Sequence, residues 1–116
     1  MIRVSPDIIR QLRSKASQSP CSYKLSGIAF SNKGEILGMA KNDFRKDLIQ
    51  EGKYSGRHVE RALIERYGRN IATILIMRIG KSGDIRPIDP CQHCAKLAKK
   101  MGIRIISVTE DMDDND

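Results

Sequence analysis

Two short polar groups bracket one dense apolar run, and that arrangement limits what the chain can fold into. His58-Val59-Glu60 lies before the run Ile71 to Ile79, and Pro90-Cys91-Gln92-His93-Cys94 lies after it. The run suits a central strand buried on both faces. Each polar group sits where a helix should begin. Val59, Ala62, Leu63 and Tyr67 recur at helical intervals within Arg57 to Tyr67, and Gly68 supplies a stop. Pro90 opens a further helix whose inner face is Cys94, Leu97, Ala98 and Met101, with Gly102 at its end. Ile103 to Val108 follows as another strand. This alternation of helix and strand predicts parallel strands joined by right-handed crossovers.

The first half reads differently. Ser5-Pro6-Asp7 gives an N-cap, a proline at the first helical position and an acid in the first turn. Ile8, Ile9, Leu12 and Ala16 then recur at helical spacing, so a helix is expected over 6–17. Tyr23 to Phe30 and Glu35 to Ala40 read as strands around the turn Ser31-Asn32-Lys33-Gly34. So short a connection makes them an antiparallel hairpin. Residues 41–56 are polar, with one helical turn expected around Phe44 and Leu48, and loops of that length are often functional or mobile. The expected fold is therefore α/β, with a mixed sheet of about four strands, an antiparallel hairpin plus parallel strands, flanked by helices. One domain spans 1–109, and an acidic tail, expected to be disordered, spans 110–116.

Charge and cysteine content narrow the function. The chain has 21 basic and 14 acidic residues, a balance of +7. Glu110, Asp111, Asp113, Asp114 and Asp116 crowd the tail, which leaves 21 cations against nine anions before it, or +12. Such an excess suits phosphate-bearing partners, from nucleotides to polynucleotides, or else forms a solvated basic surface. Aromatics that could stack on bases are limited to Tyr23, Phe30, Phe44, Tyr54 and Tyr67, with no Trp. No segment approaches the ~18 apolar residues of a membrane helix, and the N-terminus has no hydrophobic signal core. Three cysteines, two of them in C-x-x-C, point to metal or redox chemistry in the cytoplasm or another reducing compartment. Cys21 is left over and is read as a small, buried or half-buried hydrophobe.

His58, Cys91 and Cys94 are good zinc ligands, and a catalytic zinc keeps its fourth position for water. Cys91 and Cys94 share one helix face, whereas His93 stands about 200 degrees around from Cys91 and should point away from an ion. Both ligand sets fall at helix starts, where the positive end of the helix favours thiolates. Glu60 lies two residues beyond His58, near enough to exchange protons with a metal-activated water without binding the metal. H-x-E followed by P-C-x-x-C is the pattern of zinc enzymes that deaminate bases.

On these residues the chain resembles the zinc-dependent cytidine deaminase superfamily. That group includes free-nucleoside cytidine deaminases, deoxycytidylate deaminases, tRNA adenosine deaminases and polynucleotide cytidine deaminases. The resemblance runs from the first helix to the strand ending near Val108. It implies zinc held between two helix N-termini by His58, Cys91 and Cys94, with Glu60 as proton shuttle. It also implies that Asn42 contacts the substrate sugar and that backbone amides near Val59 and Cys91 hold the base and the reacting water. Val59 stands where the family usually has Ala, and its bulk is expected to narrow the base pocket. Asn42-Asp43-Phe44 replaces the Asn-x-Glu of the nucleoside enzymes, with Phe44 either stacking on a base or packing in the core. The chain stops after its fourth strand where the family usually has a fifth, so a homo-oligomer is expected to cover the open edge.

Three functional readings follow. The first is zinc-dependent deamination of cytosine in a nucleoside or nucleotide, with Arg57, Lys53, Arg45 and Lys46 as phosphate contacts. The second is deamination of a base within single-stranded DNA or RNA. The third is a nucleic-acid-binding or interaction module with a structural zinc.

Overall fold

The structure, a computed structural model, describes residues 4–21, 23–44, 56–90 and 92–112. Helix α1 spans Pro6–Ser17 and begins as its sequence dictates. Ser5 is the N-cap, its Oγ accepting from Ile8 N at 3.3 Å, and Pro6 follows directly. Ile9, Leu12 and Ala16 form the buried face.

Strands β1 (Lys24–Phe30) and β2 (Ile36–Lys41) form the expected antiparallel hairpin. Its turn is fastened by Ser31, whose Oγ accepts from the backbone N–H groups of Lys33 and Glu35, while Gly34 takes φ 80°. Few residues other than glycine adopt that φ at low cost. The register shifts between Ala29 and Phe30, because their partners Gly38 and Ile36 leave Leu37 of β2 as an extra residue.

Beyond β2, residues 43–44 depart from the expected helical turn. They form a short strand, β3 (Asp43–Phe44), paired antiparallel with β4 (Gly56–Arg57). The expectation for Leu48 lies outside the described residues. Helix α2 (Val59–Tyr67) follows with His58 as its N-cap and Gly68 as its C-cap. A 3-10 turn, Gly68–Asn70, leads into β5 (Thr73–Ile79). Then come β6 (Ile85–Arg86), helix α3 (Gln92–Met101) and β7 (Arg104–Ser107).

The main sheet has five strands in the order β2-β1-β5-β6, with β7 also paired to β5. Strand β5 is antiparallel to β1 and parallel to β7, as the helix–strand alternation predicts. Strands β6 and β7 share one edge of β5. Thr73 to Ile76 pair with β7, and Arg78 and Ile79 pair with β6. Both faces of β5 are covered. Leu75, Met77 and Ile79 pack with Ile9, Leu12 and Ala16 of α1. Ile74 and Ile76 pack with Val59, Leu63 and Ile64 of α2 and Ala98 of α3. Burying one such aliphatic side chain contributes roughly 1.5–3 kcal/mol, so this strand anchors the domain.

The acidic tail departs from expectation at its start. Glu110–Met112 forms a 3-10 turn, Met112 O accepts from Val4 N at 2.9 Å, and the Glu110 carboxylate accepts from Ile85 N at 3.0 Å. Backbone groups at Val4 and Ile85 thus find partners in a segment whose composition reads as solvated. Among the described residues no helix is long and apolar enough to cross a membrane.

Candidate functional site

The starts of α2 and α3 converge at one end of the sheet. The β1 start, the β2 end and the β5 end lie together there, because Ser26 pairs with Lys41 and Lys24 with Ile79. His58, Glu60 and Cys94 meet at this end. One ligand atom from each, an imidazole nitrogen, a carboxylate oxygen and Sγ, lie within 4.8 Å of one another. His58 is exposed, Glu60 is 5% exposed and Cys94 is 4% exposed.

Local sequence explains each position. His58 stands outside the first turn of α2 with φ −71° and ψ 134°, and Ala62 N donates to its carbonyl at 3.0 Å. Glu60 falls in the first turn of α2, where the helix dipole favours an anion. Cys94 falls in the first turn of α3, where the same field favours a thiolate.

The donor set fits zinc. Imidazole nitrogen and thiolate sulfur are its preferred ligands, and tetrahedral donors around one zinc stand roughly 3.5 Å apart. The described cluster is within small side-chain rotations of that spacing. The third expected ligand, Cys91, lies outside the described residues.

A cavity of about 430 Å³ opens onto the cluster between α2 and α3, lined by His58, Arg61, Glu65, His93, Cys94 and Leu97. His93 is exposed and is not one of the clustered ligands, as its helix position predicts. It nonetheless forms part of the cavity wall, which spacing within one helix does not reveal. Arg61 Nε and the Glu65 carboxylate pair at 3.0 Å along the opposite wall.

Asn42 is 6% exposed, and its side chain fastens a corner of the fold. Oδ1 accepts from Leu25 N at 2.9 Å and from Ser19 Oγ at 2.5 Å, while Nδ2 donates to Tyr23 O at 2.5 Å. The β3–β4 ladder pairs Asp43 with Arg57, so the same register carried one residue further sets Asn42 opposite His58. The sequence identified Asn42 but gave no sign of this clasp, because Ser19 and Tyr23 reach it only through the hairpin.

Val59 is 1% exposed and belongs to the core between α2 and the sheet. Its Cγ1 occupies the space that a Cβ on Gly27 would need. Its bulk is therefore taken up against β1. Phe44 and Arg57 contribute backbone to the β3–β4 ladder, while their side chains lie outside what the structure describes, as do Arg45, Lys46 and Lys53. Cys21 is buried, as read from the sequence.

No family model matches the chain. No curated protein matches it either. Among solved structures, the crystal structure of a mutant cytidine deaminase from Mycobacterium tuberculosis is similar, with a TM-score of 0.52 and 16% sequence identity. The match covers 88% of this chain and 85% of that one. The chain therefore has a cytidine deaminase-like fold, a mixed sheet flanked by three helices.

Proposed function

We propose that this protein is a zinc-dependent hydrolytic deaminase acting on cytosine in a nucleoside or nucleotide, releasing ammonia and leaving uracil. The observation that carries this reading is the meeting of His58, Glu60 and Cys94 where two helices begin. The cytidine deaminase-like fold supports it.

In this reading His58, Cys91 and Cys94 hold the ion. Zinc supplies Lewis acidity that turns water into a nucleophile near neutral pH. Glu60 would take one proton from the attacking water and pass it to the ring nitrogen, then take the second proton, from the hydroxyl now on the ring carbon, and pass it to the amine as the C–N bond breaks and ammonia leaves. Its burial at the helix start limits its exchange with bulk solvent. The backbone amides near Val59 and Cys91 orient the base and the water. The amide nitrogen of Asn42 carries a second proton beyond the one given to Tyr23, and that proton is the group a substrate sugar would meet. Phe44 and Arg57 border the same entrance through the β3–β4 ladder, as a stacking face and a phosphate contact.

A mass-spectrometric screen of zinc-loaded protein tests the reading. Cytidine, deoxycytidine and their monophosphates should include a substrate that gains the mass change of amine-to-carbonyl conversion, and Glu60→Gln should abolish it. Inactivity of zinc-loaded protein on all of these would overturn it.

A further inference from the structure

A second site lies around the open edge of the sheet. Strand β2 pairs with β1 alone among the described residues. Near its catalytic end a recess of about 210 Å³ wraps that edge, with Met39 and Leu63 in its wall. Three cations line it from three elements: Lys15 from α1 on one sheet face, Lys41 from β2 itself, and Arg66 from α2 on the other face. No carboxylate is among its lining residues as far as the described residues go. None of the three cations takes part in an ion pair or a side-chain hydrogen bond among the described residues.

Lys15 and Arg66 stand in the last turns of their helices, where the dipole favours a cation. That explains two charges singly. It does not explain why two helices on opposite faces bring them to one recess beside Lys41. Three like charges around one recess repel one another, and a bound anion removes that cost. The basic track also continues. A second recess at the far end of β2 has Lys33 and Arg69 among its lining residues, two cations against the one carboxylate of Glu35. The ends of a six-residue strand are roughly 17 Å apart. A single phosphate cannot engage both recesses, whereas a chain of phosphates can.

We infer that the Lys15–Lys41–Arg66 recess is a phosphate site that holds the backbone of a single-stranded nucleic acid along the β2 edge. The excess of 21 basic over 14 acidic residues agrees with such a partner. Tyr23, 52% exposed at the same end of the sheet, offers an aromatic face, with the Arg78 guanidinium 3.7 Å from its ring centroid. The site is separate from the metal cluster and stands whether or not the deaminase reading holds.

Fluorescence anisotropy with a labelled oligothymidylate tests it, since a probe without cytosine or adenine reports binding and not deamination. The variant K15Q/K41Q/R66Q should bind about tenfold or more weakly, and its salt slope should fall by about two. Neutralising Lys96, Lys99 and Lys100 on the exposed side of α3 removes equal charge and should cost less than threefold. The charge-conserving K15R/K41R/R66K should retain binding, which separates loss of charge from loss of fold. Equal losses in the two neutralised triples would show a diffuse basic surface and overturn the assignment. So would undiminished binding by K15Q/K41Q/R66Q accompanied by self-association, which would make the cations guards of the strand edge. Binding of inorganic phosphate or thymidine monophosphate, measured by calorimetry, without any binding of the oligonucleotide would also overturn it.

Discussion

Val59 and Gly27 divide one space between them. The Val59 Cγ1 methyl lies where a side chain on Gly27 would begin, and Leu63 Cδ1 closes the same gap at 3.2 Å. The residue between His58 and Glu60 is therefore a wedge that sets how closely α2 approaches β1, and with it where both site residues stand. Gly27→Ala should destabilise the fold by about 1–3 kcal/mol through overpacking. Val59→Ala in the same chain should recover part of that loss, giving a coupling of about 0.5 kcal/mol or more in a double-mutant cycle. Urea denaturation of the two single variants and the double variant measures it. Strict additivity would show that the methyl relaxes elsewhere.

The ligand assignment predicts a separation between metal content and turnover. His58→Ala and Cys94→Ser should each lower zinc content measured by plasma mass spectrometry. Glu60→Gln should keep the metal and lose turnover by about 10²–10⁴-fold. Chelation should also lower Tm. An ion present at a thousand times its dissociation constant adds about 4 kcal/mol to stability. Full zinc retention by Cys94→Ser would remove that residue from the ligand set.

Asn42 should matter to stability before it matters to substrate. Asn42→Ala strips partners from Leu25 N and Tyr23 O, and an unmade buried hydrogen bond costs about 1–3 kcal/mol, so a loss of that order or more is expected. Ser19→Ala removes the hydroxyl that donates to both Asn42 oxygens and should destabilise less. If Asn42 also meets the sugar, Asn42→Ala should lower kcat/KM beyond Ser19→Ala at a temperature where both remain folded.

Asp84 offers a pH signature. The Ser82 hydroxyl donates to its carboxylate at 2.8 Å and the Arg86 guanidinium pairs with it at 2.7 Å, so its pKa lies below the ordinary 3.8. The stabilisation from a lowered carboxylate pKa is complete above the unfolded-state value and is lost as pH falls through the folded-state one. A carbon-detected NMR titration should place the Asp84 midpoint below 3.8, and Ser82→Ala should move it upward. An unchanged midpoint in Ser82→Ala would assign the shift to Arg86 instead.

What could be read from the chain beforehand divides along a physical line. Local signals carried the elements: Ser5-Pro6 opens α1, Gly34 turns the hairpin, and Gly68 ends α2. Short motifs within single segments likewise single out His58, Glu60 and Cys94, which the fold brings together. Features that need two distant segments did not show. Strand β6 is two residues long, too short for any period to register, and exists because β5 offers it an edge. The β3–β4 ladder joins residues across a long polar stretch whose sequence suggests a helical turn around Phe44 and carries no strand signal. That Val59 shares its space with Gly27 of β1 is visible only once the sheet is built. The tail was read by charge alone, and the hydrogen bonds from Ile85 and Val4 depend on where β6 and α1 come to rest.

Strand β7 and helix α3 meet the rest of the molecule through four β5 pairs, Thr73 to Ile76, through the packing of Ala98 and Ile103 on the α2 side, and through Ile106 on the α1 side. A metal held jointly from α2 and α3 would tie that unit down across the intervening strand. Its loss would let the unit loosen on the side that faces α2, where the metal no longer bridges the two helices. Amides of β7 would then exchange with solvent at a rate set by metal occupancy, and an ion held there would also decide how tightly the last third of the fold is closed.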